Sequence, residues 1–106
     1  MTYVAWFIFV ASAVLEVGGD AVIRKGLRGG GPSVILLGCL ILASYGVVVN
    51  TVRWDFSRLL GVYVAIFALV SVLFGALAFR EHVPPATWIG VGIIMLGAGV
   101  IQFGGS

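Results

Sequence analysis

Four uniformly apolar segments, 3–23, 32–52, 59–79 and 85–103, alternate with three short polar links, RKGLRGGG (24–31), RWDFSR (53–58) and REHVPP (80–85). Each segment has roughly the 20 residues a helix needs to cross a bilayer core. Barrel strands would instead alternate apolar and polar residues in runs of about 10. The pattern therefore predicts an all-α membrane protein with four transmembrane helices in one domain spanning residues 1–106. Links this short force each helix to run antiparallel to the next. Pro32 and Pro85 stand where a first helical turn tolerates proline. Gly29, Gly30 and Gly31 read as a helix stop followed by a flexible link.

Composition supports lipid as the solvent. The chain is 61% hydrophobic and 9% charged, with a mean hydropathy of +1.21, whereas soluble domains carry about 25% charged residues. A net charge of +2 from scattered basic residues gives no footprint for nucleic acid. One Cys, Cys39, excludes an intrachain disulfide, and one His with one Cys leaves no metal-ligand pair. No nucleophile–base pair, phosphate loop or cofactor motif supports an enzyme. Ala11-Ser12-Ala13 mimics a leader cleavage site, but no basic region precedes it, so the first segment is expected to stay in the mature protein. Arg24, Lys25, Arg28 and Arg80 share one side of the membrane, against Arg53 and Arg58 on the other. Four against two is a weak bias that favours both termini outside and permits insertion both ways round.

The chemistry concentrates in VLEVGGDAVIRKG (14–26), where Glu16 and Asp20 interrupt the first span. A charged side chain at the bilayer centre costs about 2.5–3.5 kcal/mol on insertion scales. Helical spacing puts Phe9, Ser12, Ala13, Gly19 and Asp20 on the Glu16 face, a small and polar stripe apart from Phe9. Burial disfavours a carboxylate's charged form and a nearby cation favours it. One such group holds either a proton or a cation comfortably, not both, which is the minimal machinery of proton–cation exchange. A purely structural Glu is the alternative, but it gives no reason to prefer Glu over Gln. Asp20 reads either as an i,i+4 partner of Arg24 at the interface or as a second substrate ligand. Gly18 and Gly19 read as close helix packing or as a flexible point beside the pocket.

Elsewhere the signals are weaker. Tyr63, near the start of the third span, is either an interface anchor or a hydroxyl that reaches Glu16. Ser44 and Ser71 are mid-span hydroxyls that can bond within their own helices; Ser44 is kept as a candidate site residue. The fourth span, WIGVGIIMLGAGVI, has Gly90 and Gly97 seven apart on one face, with Gly92 and Gly99 repeating the spacing. Small residues let helices approach closely in lipid, so this span reads as a packing or dimerisation face. So few helices cannot enclose a polar pocket alone, and a dimer is expected.

AVLEVGGDAVIRKG, GPSV, LASY and NT in the second span, the Gly61-Val62-Tyr63 start of the third, and FREHVPPATWIGVGIIMLGAGVI together cover nearly the whole chain. In them the chain resembles the small multidrug resistance transporters of the drug/metabolite transporter superfamily. It also resembles the neighbouring four-helix YnfA-like proteins, and its third and fourth helices are similar to small lipid-linked sugar flippase subunits. The first resemblance implies four-helix chains paired as an antiparallel homodimer of dual topology in a bacterial inner membrane. It implies a shared pocket with Glu16 from each chain binding protons and substrate competitively, and Tyr63 as the pocket tyrosine. It further implies Ser12, Ala13, Gly19 and Asp20 as pocket lining, and fourth helices paired through Gly90 and Gly97. Substrates would be small cations, quaternary ammonium or guanidinium compounds, exported against protons, with no cofactor.

Three departures stand out. Ile66 or Phe67 occupies the place of the tryptophan that follows the pocket tyrosine in multidrug members, Asp20 stands where a neutral residue is usual, and the second link is more charged. Three readings follow: a proton-coupled cation exporter, a half-transporter for a lipid-linked or polar metabolite that needs another chain, and a non-transporting subunit that modulates a partner.

Overall fold

The computed structural model describes residues 2–104. In chain order it contains α1 (Thr2–Lys25), a turn (Gly26–Gly30), α2 (Pro32–Val49), α3 (Phe56–Leu77) and α4 (Pro85–Gly104). All four helices are long and apolar enough to cross a membrane, as the apolar segments predict. Lipid offers no partner for a free backbone N–H or C=O, and a helix satisfies both within itself. The 18 residues of α2 rise about 27 Å at 1.5 Å per residue, close to a hydrocarbon core of about 30 Å. The 24 residues of α1 rise about 36 Å, so its last turn, with Arg24 and Lys25, extends to the headgroups.

The ends of the helices differ from the apolar boundaries for identifiable reasons. α2 stops at Val49 rather than 52. Asn50 Nδ2 donates to Gly46 O at 2.7 Å and Thr51 Oγ1 to Val48 O at 2.6 Å. These side chains take carbonyls that a continuing helix would use. α3 begins three residues early, at Phe56, after the extended backbone of Asp55. It thereby incorporates Ser57 and Arg58, which the polarity of the second link kept out. After α3 the backbone turns through Arg80 at φ +53, and the Glu81 N–H donates to Gly75 O at 2.9 Å. The triple glycine acts as a tight turn: Gly29 (φ +116) and Gly31 (φ +94) take conformations that L side chains resist, and Gly31 N–H closes the turn onto Gly26 O at 3.0 Å.

The chain divides after Val52 into two compact hairpins, α1–α2 and α3–α4. In the first, backbone meets backbone. A Cβ on Gly19 would stand 2.9 Å from Leu42 Cδ2 and 3.1 Å from Gly38 O. A Cβ on Gly38 would stand 2.9 Å from Gly19 O and from Ile23 N. One on Gly26 would stand 2.8 Å from Ile35 N. Such approach is how helices gain contact where lipid is as apolar as they are. In the second hairpin, Gly61 admits Ile101, whose Cδ1 lies 2.9 Å from where a Cβ would be. Arg58 donates twice to Gln102 Oε1, from Nε at 3.1 Å and Nη2 at 2.8 Å, and its guanidinium lies 4.1 Å from the Trp54 ring centre.

Gly38→Ala therefore forces α1 and α2 apart. Overpacking of this kind costs about 1–3 kcal/mol. Gly18, on the same hairpin, has nothing within 4 Å of a built Cβ, so Gly18→Ala is expected to be neutral or mildly stabilising. Unfolding midpoints of the two variants in detergent, followed by circular dichroism, check the contrast.

Candidate functional site

The α1–α2 contacts define a register. Gly19 meets Leu42, Ile23 meets Gly38, and Gly26 meets Ile35. Each pair of residue numbers adds to 61, as an antiparallel pair requires. Continued toward the start of α1, the register places Glu16 opposite Tyr45, Ser12 opposite Val49, and Phe9 opposite Val52. The α1 stripe thus steps by three and four residues, the spacing that keeps one helical face on a partner. Four of the residues it reaches, Phe9, Ser12, Val49 and Val52, are buried.

Glu16 lies within three residues of the midpoint of α1, about 4 Å along the axis. It is half-buried. Tyr45, opposite it in the register, is also half-buried. One turn away, Ser12 is 0% exposed, and its Oγ has no hydrogen-bond partner. A serine within a helix ordinarily bonds a carbonyl one turn back, as Ser44 Oγ does to Leu40 O at 3.1 Å. Ser12 does not, and an orphaned buried hydroxyl costs about 1–3 kcal/mol. Ala13, beside it, is also fully buried.

The remaining predicted residues distribute as follows. Gly19 is spent on the contact with Leu42 and Gly38, which favours the packing role. Asp20 is exposed and lies beside the stripe rather than on it. Ser44 is exposed and bonded within its own helix, and Ser71 likewise bonds Ala68 O at 2.9 Å. Tyr63, in the second hairpin, is 3% exposed, with the Phe67 ring centred 6.4 Å from its own. Of the two residues at the place of the multidrug tryptophan, Phe67 is the one whose ring lies beside Tyr63. Gly90 and Gly97 have nothing within 4 Å of a built Cβ, and the same holds for Gly92 and Gly99. Among the described residues no group of three His, Cys, Asp or Glu is placed to hold a metal.

Sequence reasoning missed Tyr45 as a site residue. The signal was present as a second stripe, Ile35, Gly38, Leu42, Tyr45, Val49 and Val52, stepping by three and four. In a segment apolar on every side, that stripe becomes visible only once the partner helix is known.

Four helices long and apolar enough to span a membrane, with a half-buried carboxylate near the middle of the first, define an integral membrane protein. The family model described as "Uncharacterised BCR, YnfA/UPF0060 family" matches residues 3–105, and the chain belongs to that family. It is similar to the UPF0060 membrane protein YfjF of Bacillus subtilis, 30% identical over 97% of this chain and 96% of that one. It is also similar to a UPF0060 membrane protein of Frankia casuarinae, 34% identical over 91% and 89% of the two chains. A third, from Halalkalibacterium halodurans, is 30% identical over 89% of each. These bacterial relatives, with the four apolar spans, make the chain an integral bacterial membrane protein. No solved structure matches.

Removing the orphaned hydroxyl in Ser12→Ala should raise stability by about 1 kcal/mol, because a buried polar group without a partner opposes folding. Unfolding in detergent reads this directly.

Proposed function

We propose that the chain is a proton-coupled transporter that exports small organic or hydrophobic cations, with Glu16 as the exchange site. The observation that carries this reading is Glu16 near the middle of α1, one turn from a fully buried hydroxyl that the fold leaves unbonded. A carboxylate at that depth is expensive as a structural element alone. A carboxylate beside an unused hydroxyl is a ready receptor for a cation, with Ser12 and Ala13 lining the approach.

Exchange follows from competition at one group. With the proton bound, Glu16 is neutral and tolerates lipid depth. A cation that enters stabilises the charged form, and the proton leaves to water. Proton and cation do not occupy the carboxylate together, so movement of one in each direction is coupled.

Alternating access in this reading uses two copies of the chain, inserted oppositely and rocking about a midplane site in the manner of inverted repeats. Gly90 and Gly97 on α4, open within the chain, supply the contact between copies. The similarity to small multidrug resistance transporters supports the substrate class of quaternary ammonium and guanidinium compounds.

The test is proton release from purified protein in weakly buffered detergent on addition of guanidinium, quaternary ammonium and polyamine compounds. Wild type is expected to release protons and Glu16→Gln none. Apparent cation affinity should fall by about tenfold per pH unit below the Glu16 midpoint, since one proton displaces one cation there. Wild type and Glu16→Gln that release equally little would overturn exchange and favour a half-transporter that needs another chain.

A further inference from the structure

We propose that Tyr45 is the positioning residue of the Glu16 carboxylate, its phenol on α2 donating to the carboxylate on α1 and so setting how the site divides between proton and cation. This rests on the reading of Glu16 as the exchange site and adds the group that tunes it.

The geometry comes from the helix pair. Gly19–Leu42, Ile23–Gly38 and Gly26–Ile35 fix a register whose next step is Glu16–Tyr45. One and two turns from that step, Gly19 and Gly38 bring the two backbones so close that neither position admits a Cβ without displacement. At the following step toward the start of α1, Ser12 and Val49 are both fully or almost fully buried. The register thus places Glu16 and Tyr45, both half-buried, between a glycine contact and the fully buried Ser12–Val49 step.

No other titratable side chain of the hairpin occupies the stripe. Tyr3, Asp20, Arg24 and Lys25 on α1, Arg28 in the turn and Cys39 on α2 are all exposed. The neighbouring hydroxyl of Ser44 is committed to Leu40 O. On α2, Tyr45 is therefore the donor placed to orient the carboxylate.

The chemistry is specific to a phenol. A phenol donates one hydrogen bond and accepts others. Donated to a carboxylate, that bond favours the charged form. In the cation-bound state the charged carboxylate accepts from Tyr45 and keeps its orientation toward the cation. When the proton returns, that stabilisation is lost. The hydroxyl of Tyr45 thereby weights the site toward release of the proton without touching the substrate.

The test follows the Glu16 carboxyl by isotope-edited infrared spectroscopy across pH, in the full-length protein in detergent. The samples are wild type, Tyr45→Phe, and protein with 3-fluorotyrosine at position 45. Each is titrated with and without tetraphenylphosphonium or guanidinium. Tyr45→Phe should hold the Glu16 proton roughly tenfold more tightly, the scale of one hydrogen bond to a charged group. Fluorotyrosine, nearly the same shape and a stronger donor, should hold it more loosely. The pH at which cation binding is half lost should move in step in both. Opposite shifts in two variants of conserved shape are not produced by general loosening of the fold. Identical carboxyl titrations in all three proteins would overturn the role of Tyr45 and leave exchange standing. Failure of wild type to trade its proton for either cation would overturn exchange instead, and it would be read in the cation arm alone.

Discussion

Lipid gives apolar side chains no net reason to leave it for one another. Helices in a bilayer therefore gain by contacts that lipid cannot make, above all by backbones brought close. In the α1–α2 hairpin that contact is the reciprocal seating of Gly19 and Gly38, with Gly26 on Ile35 one step further along. Because a Cβ on either of the first two would collide with backbone, the two helices fit only within a narrow range of offset. The register that results sets which residues face one another, and the candidate site follows from it. The register gives Glu16 Tyr45 as its neighbour because Gly19, one turn away, and Gly38, two turns away, hold the two backbones close.

The same constraint sorts the polar side chains into two groups. Near the ends of helices, polar groups are satisfied. Arg58 has Gln102 and the Trp54 ring, Asn50 and Thr51 turn back onto α2, and Arg24 and Lys25 sit in the last turn of α1. Farther from the ends, Ser44 and Ser71 bond within their own helices, while the Ser12 hydroxyl, one turn from Glu16, is left without a bond. Arg58 shows that the chain is able to complete a polar contact between two helices. At Ser12 no such contact is completed, and a buried hydroxyl without a partner opposes folding.

The number, type and order of the helices were legible in the sequence because apolar run length is a direct consequence of bilayer thickness. Their ends were less so. Polarity alone placed Ser57 and Arg58 outside α3, while the structure keeps them in because Arg58 finds Gln102 across the hairpin. It also extended α2 past Val49, where Asn50 and Thr51 recapture its carbonyls. Within the site, Glu16 was evident from its charge, and Ser12 and Ala13 from helical spacing to it. Spacing put Gly19 on the Glu16 face and the family resemblance made it pocket lining, whereas the fold seats it against Leu42 and Gly38 of α2. Tyr45 was not legible as a partner, since a helix that is apolar all round carries no mark of the face it turns inward. That information resides in the pairing of two stripes, and the pairing depends on which glycines meet.

Glycine use separates the helices further. Gly19, Gly26, Gly38 and Gly61 are filled from within the chain, whereas four open glycines, Gly90, Gly92, Gly97 and Gly99, fall on α4, against one each on α1 (Gly18) and α2 (Gly46). Within its hairpin α4 meets α3 through Ile101 and Gln102, and the buried residues Val91 and Ala98 lie on that same side by helical spacing. Each open glycine is one residue from Val91 or Ala98, a rotation of about 100°. The pair Gly90 and Gly97 flanks the α3-facing stripe on one side, and Gly92 and Gly99 flank it on the other. A second helix seated along Gly90 and Gly97 would therefore approach α4 beside α3 without displacing it. Glycine weakens a helix relative to alanine by about 1 kcal/mol. A second helix along Gly90 and Gly97 would offset that cost on one flank only, since Gly92 and Gly99 lie on the other.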